Sequence, residues 1–215
     1  MTDPVREFLF SEENLMNNSA KQSSKDRIVK LATTAILVAM ATVLSIIPLG
    51  IKMPLGGSLT PLSMLPICLI SVMFGLKWGF AGSLVYALIQ FLLDLSSAMG
   101  WGMNAVQWTG MIVFDYFIAF TILGIAGLFR NKGRVGALLG GVLALFLRFV
   151  SHVISGVFFF SVWMPEGWSS PLFYSVCYNG AFMLPEIVLT GIALFFIVKI
   201  PVVSKYLPAQ KTKNA

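Results

Sequence analysis

Apolar residues run along this chain in six long stretches, each closed by a short cluster of turn-forming or basic residues. The stretches cover about 29–48, 59–76, 80–97, 106–129, 135–161 and 171–199. At about 1.5 Å per helical residue, each is long enough to cross a bilayer. The breaks carry Pro54-Leu55-Gly56-Gly57, Gly75 to Gly79, Gly100 to Gly102, Asn131-Lys132-Gly133 and Pro165-Glu166-Gly167, which are chain-reversal signals. The pattern predicts an all-α integral membrane protein, a six-helix transmembrane bundle over 29–200. A polar extension, 1–28, is expected to lie at the surface or without fixed structure, and a tail, 201–215, to be cytoplasmic.

Composition sharpens this picture. Of 215 residues, 57% are hydrophobic and only 11% charged, with a mean hydropathy of +0.85; a soluble domain of this size needs far more charge on its surface. The first 25 residues are polar, without the short apolar core and cleavage site of a secretory signal. The net charge of +6 is a matter of placement. With the N-terminus inside, one side holds Arg6, Lys21, Lys25, Arg27, Lys30, Lys77, Arg130, Lys132, Arg134, Lys199, Lys205, Lys211 and Lys213, and the other only Lys52. This asymmetry predicts cytoplasmic N- and C-termini in a multi-pass protein of a bacterial cell membrane, with lipid and not nucleic acid against its surface.

Several chemistries lack their residues. No GxxxxGK[ST] phosphate loop is present. A single histidine removes most metal sites and multi-histidine proton relays. Cys68 and Cys177 lie in apolar helices without CxxC spacing and are expected to pack there as small apolar groups. No repeat of fixed period and no inverted duplication is visible.

Asp94, Asp115, Arg148, His152, Asn179 and Glu186 stand out within the apolar stretches. Counted from the predicted outer helix ends, Asp115 and His152 lie ~14 Å deep and Asn179 ~12 Å, one layer with varied hydrogen-bonding capacity. Arg148 and Glu186 fall near ~20 Å, and Asp94 close to the rim of the third helix. Arg148, His152 and Gly156 follow i, i+4, i+8 spacing and share a face. Tyr174, Ser175, Tyr178 and Asn179 crowd the first turns of the sixth helix, after a loop region rich in aromatics: Phe158, Phe159, Phe160, Trp163 and Trp168. Together these describe an outward-opening pocket suited to a flat, partly cationic, hydrogen-bonding ligand.

Plainer readings stand beside that one. Trp163 and Trp168 also fit an interfacial aromatic belt, and Asn179 an interhelical hydrogen bond. Arg148 and Glu186 also fit a structural ion pair between the last two helices. Asp115 has no cation at its own depth except a protonated His152, a gap that a cationic ligand would fill. The role of Glu186, after Pro185, stays open. An intramembrane aspartyl enzyme would need Asp94 and Asp115 face to face, and their depths differ.

Three blocks make the chain recognisable: Phe114-Asp115-Tyr116-Phe117-Ile118-Ala119-Phe120 with Gly124-Ile125-Ala126-Gly127, then Leu147-Arg148-Phe149-Val150-Ser151-His152-Val153-Ile154-Ser155-Gly156, then Tyr174-Ser175-Val176-Cys177-Tyr178-Asn179. With the earlier Met53-Pro54-Leu55-Gly56-Gly57-Ser58, they resemble the ThiT/YuaJ family, the thiamine-specific substrate-binding component of energy-coupling factor (ECF) transporters. The resemblance covers about residues 30–200. It implies a non-enzymatic, high-affinity thiamine-binding subunit without cofactor or metal. Such a subunit docks on a shared transmembrane coupling protein, and two separate ATPase subunits consume the ATP.

Carried over residue by residue, the resemblance implies that Asp115 meets the aminopyrimidine or balances the thiazolium charge, with Tyr116 beside it. His152 matches the family's pocket histidine, Arg148 the basic residue one turn before it, and Gly156 the glycine one turn after it. Tyr174 and Asn179 match hydrogen-bonding partners of thiamine. Phe160 stands where some members carry a stacking tryptophan, so Trp163 or Trp168 is expected to supply that ring. Asp115 is one methylene shorter than the glutamate of some members. Residues 100–107 do not align cleanly and receive no pocket role, and 53–58 offers no tryptophan to cover the ligand. Ala35 and Ala39, with Ala32 and Ala41 nearby, form a small-residue stripe on the first helix. The resemblance reads it as the partner-docking surface; packing within the bundle is the alternative. The rival functions are a stand-alone proton-coupled thiamine carrier and an ECF component for another vitamin.

Overall fold

The computed structural model describes residues 4–47, 53 and 57–208, with side chains from Gln22 onward. It is built from helices α1 (Pro4–Ile46), α2 (Leu65–Phe74), α3 (Leu76–Met99), α4 (Ala105–Gly127), α5 (Gly133–Phe158) and α6 (Pro171–Ile197), then a four-residue α7 (Pro201–Ser204). Five of them, counting Gln22–Ile46 within α1, are long and apolar enough to cross a membrane. The chain divides into two compact units, Met1–Ile36 and Leu37–Ala215. In the first, helix begins at Pro4, within the stretch read as a polar extension, and Ile28, Leu31 and Ile36 stand exposed. The second unit contains a cavity and every residue that lines it. Its Leu88, Leu92, Phe146, Leu184 and Val188 are exposed large apolar side chains, a surface that suits lipid and not water.

Local sequence explains the helix ends. Asn104 caps α4 with a reciprocal box: its side chain accepts the Gln107 N–H at 3.0 Å, and its own N–H donates to Gln107 Oε1 at 2.9 Å. Ser170 caps α6 by accepting from Phe173 N at 3.2 Å, with Pro171 at the first helical position, where no N–H is needed.

The second helix departs from the expected 59–76. Residues 61–64 are turn, and helix holds only from Leu65 to Phe74. Two causes are visible. Leu62 adopts a positive φ of 64°, a conformation that interrupts a right-handed helix. Pro66 has no N–H, so it fits only in the first turn. Ten residues at about 1.5 Å span about 15 Å, half of the ~30 Å hydrocarbon core. All ten are buried.

This short helix is held electrostatically at both ends. At its start, Glu186 on α6 accepts the N–H of Leu62 at 3.0 Å and of Met64 at 3.4 Å. At its end, Arg130 donates from Nε to Val72 O at 2.9 Å and from Nη2 to Met73 O at 2.5 Å. A carboxylate at the N-terminus and a guanidinium at the C-terminus both complement the helix dipole. Arg130 also donates to Tyr206 O at 2.7 Å, and Tyr206 packs edge-on against Phe74 at 5.0 Å. The end of α2, the α4–α5 turn and the C-terminal segment therefore meet at one end of the bundle.

Helix α4 is irregular throughout. After one α-helical turn it widens to π-helix over Met111–Ile118, and it tightens to 3₁₀ over Ile122–Gly127. The tight portion carries the Gly124-Ile125-Ala126-Gly127 block, which serves packing. Ser71 on α2 donates to Gly124 O and accepts from Gly127 N at 2.9 Å. A Cβ on Gly124 would lie 2.7 Å from the backbone nitrogen of Phe80, so α3 can approach this closely only because the side chain is absent.

Candidate ligand site

At the opposite end of the bundle from Arg130 lies a cavity of about 560 Å³, within the range of small-molecule sites. It is lined by the second half of α3, the first half of α4, the second half of α5 and the first half of α6, and by the described residues of 53–64. Non-helical backbone at membrane depth is tolerated where it faces such a cavity. Met53, Gly57, Ser58, Thr60 and Met64 line it, and Met53 N donates to Gly57 O at 2.6 Å. Pro54, Leu55, Gly56 and Lys52 lie outside the described residues.

The π-helical turn positions two consecutive side chains toward different neighbours. Asp115 faces α5, where its Oδ1 lies 2.7 Å from His152 Nδ1 and its Oδ2 accepts from Ser155. Tyr116 faces α3, where its hydroxyl donates to Asp94 Oδ2 at 3.0 Å and its ring packs edge-on against Phe91 at 5.4 Å. Widened helical turns of this kind occur often at functional sites.

Arg148 and His152, one turn apart on α5, define the protonation pattern. Arg148 Nε donates to His152 Nε2 at 3.2 Å. A guanidinium nitrogen only donates, so Nε2 is the acceptor and the imidazole proton sits on Nδ1, which donates to Asp115. His152 in this arrangement is a neutral ring between an arginine and a carboxylate, not the protonated cation considered from the sequence. The rest of the Arg148 guanidinium lies over the Phe120 ring at 4.0 Å and donates to the Met64 sulfur, contacts that compensate its burial.

No Arg148–Glu186 ion pair forms among the described residues; the acid–base contact found there is His152–Asp115. Glu186 instead binds the Leu62 and Met64 N–H groups and accepts from Thr190 Oγ1 at 3.1 Å. Backbone donors at the start of α2 compete for this carboxylate, and the distance along the sequence between 64 and 186 conceals them.

On α6, Asn179 Nδ2 donates to Ser175 O at 2.9 Å, to Ser175 Oγ at 3.2 Å and to His152 O at 3.5 Å. Asp115, His152 and Asn179 thus form one connected layer. Gly156 makes the approach of α6 possible, because a Cβ there would run into Ser175 Oγ. Tyr174, Tyr178 and Phe182, spaced by four, form a ladder of rings at 5.7 and 6.3 Å that ends against His152 at 6.3 Å.

Asp115, Tyr116, Arg148, His152, Gly156, Phe160, Tyr174 and Asn179 all line the cavity; Trp163 and Trp168 do not. Trp163 packs behind Phe160 at 5.4 Å and Trp168 behind Tyr174 at 5.0 Å. The tryptophan in the wall is Trp101, edge-on to Phe160 at 6.4 Å, in the stretch given no pocket role. A signal for it exists in the sequence: Tyr86, Gln90, Asp94, Ser97 and Trp101 recur at helical spacing and all line the cavity. Asp94 belongs to this wall, so both carboxylates that the depth count separates border one cavity. Cys68 is buried as expected, whereas Cys177 is exposed. Ala35 and Ala39 are exposed on α1, and Ala41 is buried.

Long apolar helices, a polar, aromatic-walled cavity at one end and lipid-suited flanks define a multi-pass membrane protein built to hold a small molecule. Residues 31–204 match the family described as Thiamine transporter protein (Thia_YuaJ), and the chain belongs to that family. It is 33% identical to the thiamine transporter ThiT of Bacillus subtilis (strain 168) over 191 residues, 82% of this chain and 91% of that one. It is 28% identical to the thiamine transporter ThiT of Lacticaseibacillus paracasei over 180 residues, 76% of this chain and 84% of that one. Among solved structures, ThiT from Listeria monocytogenes superposes with a TM-score of 0.66 at 24% identity, covering 85% of this chain and all of the other, a likeness of fold. Its curated relatives are transporters, and the chain is a transport protein, not an enzyme.

Proposed function

We propose that this chain is the thiamine-capturing subunit of an ECF-type importer, binding the vitamin in the cavity bordered by Asp115, His152 and Asn179. The observation that carries this reading is the neutral His152 held between Asp115 and Arg148. It leaves the Asp115 carboxylate without a cation in direct contact, and thiamine brings one in its thiazolium ring. The aminopyrimidine supplies donors and acceptors for Asp115, Asn179 and Tyr174. Phe160 and Trp101 offer ring faces for the cation. No cofactor takes part, and ATP is consumed by partner subunits.

The cavity end is taken to face outward, with both termini cytoplasmic, because Lys77, Arg130, Lys132, Arg134, Lys199 and Lys205 flank the opposite helix ends. The exposed Ala35–Ala39 stripe is proposed as the face that docks on the membrane coupling protein, since small residues let a partner helix approach closely.

The test is a titration of purified full-length protein in detergent, read by tryptophan fluorescence, with thiamine, riboflavin and biotin. Saturable quenching by thiamine at nanomolar concentrations is expected; quenching by riboflavin or biotin alone would overturn the vitamin assignment. In liposomes the chain by itself should not accumulate thiamine, even under a pH gradient. Uptake driven by that gradient would identify a stand-alone proton-coupled carrier.

A further inference from the structure

Among the described residues that line the cavity, three are carboxylates, Asp94, Asp115 and Glu186, and one is a permanent cation, Arg148. Two of the three are occupied: Asp115 by His152 and Ser155, Glu186 by two backbone N–H groups and Thr190. For Asp94, one donor is found among the described residues, the Tyr116 hydroxyl, and that bond fixes the carboxylate without neutralising it. Asp94 sits on the cavity face of α3 with Ser97 one turn on and Trp101 beyond.

We propose that Asp94 is a specificity-determining residue that makes the cavity select an unphosphorylated cationic ligand over its phosphate esters. The proposal rests on the thiamine reading. Thiamine carries one positive charge, and phosphorylation of its hydroxyethyl arm adds about 1.5 to 2 negative charges at neutral pH. An ionised carboxylate in a partly dehydrated cavity attracts the first and repels the second. Asp115 is the carboxylate that meets the thiazolium itself, with both oxygens held on the α5 side by His152 and Ser155, whereas Asp94 adds a second charge on the α3 wall. Tyr116 keeps Asp94 turned to the cavity, so the adjacent residues Asp115 and Tyr116 divide the work: one binds directly, the other positions a second charge.

The experiment measures dissociation constants of the full-length protein for thiamine and thiamine monophosphate, in the wild type and in Asp94→Asn, Asp94→Glu and Ser97→Lys. For a unit charge about 10 Å away at an effective dielectric near 20, Asp94→Asn should weaken thiamine about tenfold and tighten the monophosphate about as much. The preference for thiamine then narrows by about a hundredfold. Asp94→Glu keeps the charge and should keep the wild-type ratio. Ser97→Lys sets a cation one turn away without removing the Tyr116 bond, and should narrow the ratio even where Asp94→Asn does not fold. Equal weakening of both ligands, or an unchanged ratio in Asp94→Asn or Ser97→Lys, overturns the proposal while leaving thiamine binding intact. A wild type that binds no thiamine overturns the functional reading as well.

Discussion

Glu186 on α6 accepts the backbone N–H of Leu62, 124 positions earlier in the chain, at 3.0 Å. The same carboxylate takes the Met64 N–H, so one acidic side chain closes the start of a helix to which it does not belong. Removing it strands two backbone donors in a buried setting, at a cost of about 1–3 kcal/mol each. Glu186→Ala should lower the unfolding temperature in detergent more than Glu186→Gln, which retains one acceptor oxygen. Equal melting temperatures for both variants and the wild type would contradict the capping role.

Asp115→Asn should weaken thiamine binding at least tenfold in the fluorescence titration. The amide keeps the size of the side chain and removes the charge that the thiazolium meets. Melting temperature should change little, because the amide oxygen can still accept from His152 Nδ1. A large fall in stability with unchanged affinity would assign Asp115 a structural role instead.

Arg148→Lys is a test of geometry at constant charge. A lysine has no planar fork to reach His152 Nε2 and lie over Phe120 at once. Without that donor, His152 Nε2 loses its partner and the ring is held on one side only, by Asp115. We expect affinity to fall about tenfold, and to fall less when the same change is made in a His152→Gln background, where the Nε2 acceptor is already absent. Additive losses in the double-mutant cycle would show that the two residues act separately.

Gly156→Ala places a methyl group against Ser175 Oγ. It should lower both melting temperature and thiamine affinity, because it moves the Ser175 and Asn179 pair away from His152. Adding Ser175→Ala relieves the nearest contact and should recover part of the stability without restoring affinity fully. Recovery of neither would place the strain elsewhere.

Much of this arrangement is legible in the amino-acid sequence. The all-helical membrane class follows from the apolar stretches, and the Asp115, His152 and Asn179 layer from counting residues inward from helix ends. What stays hidden there has physical causes. Glu186 and Met64 are bonded across 122 positions, and no local pattern encodes such a pair. The π-helical turn is invisible to a 3.6-residue period, so nothing in the order of residues foretells that Asp115 and Tyr116 address α5 and α3 respectively. Trp163 and Trp168 attract attention by ring type and proximity, yet the loop holds them behind Phe160 and Tyr174. Trp101 sits among glycines that mask it, although it continues the stripe through Tyr86, Gln90 and Asp94.

The shortness of α2 has a consequence for how such a bundle changes cargo. A helix continued for another ten residues would occupy a cylinder about 15 Å long and 10 Å across, in the part of the molecule where Gly57, Ser58, Thr60 and Met64 instead border the cavity. The chamber exists by omission: one segment stops halfway, and its capped end forms part of the chamber's boundary. Its dimensions can then drift through substitutions in a short irregular stretch, while the long helices and their lipid-facing surfaces stay as they are. Evolution can refit the chamber without rebuilding the walls.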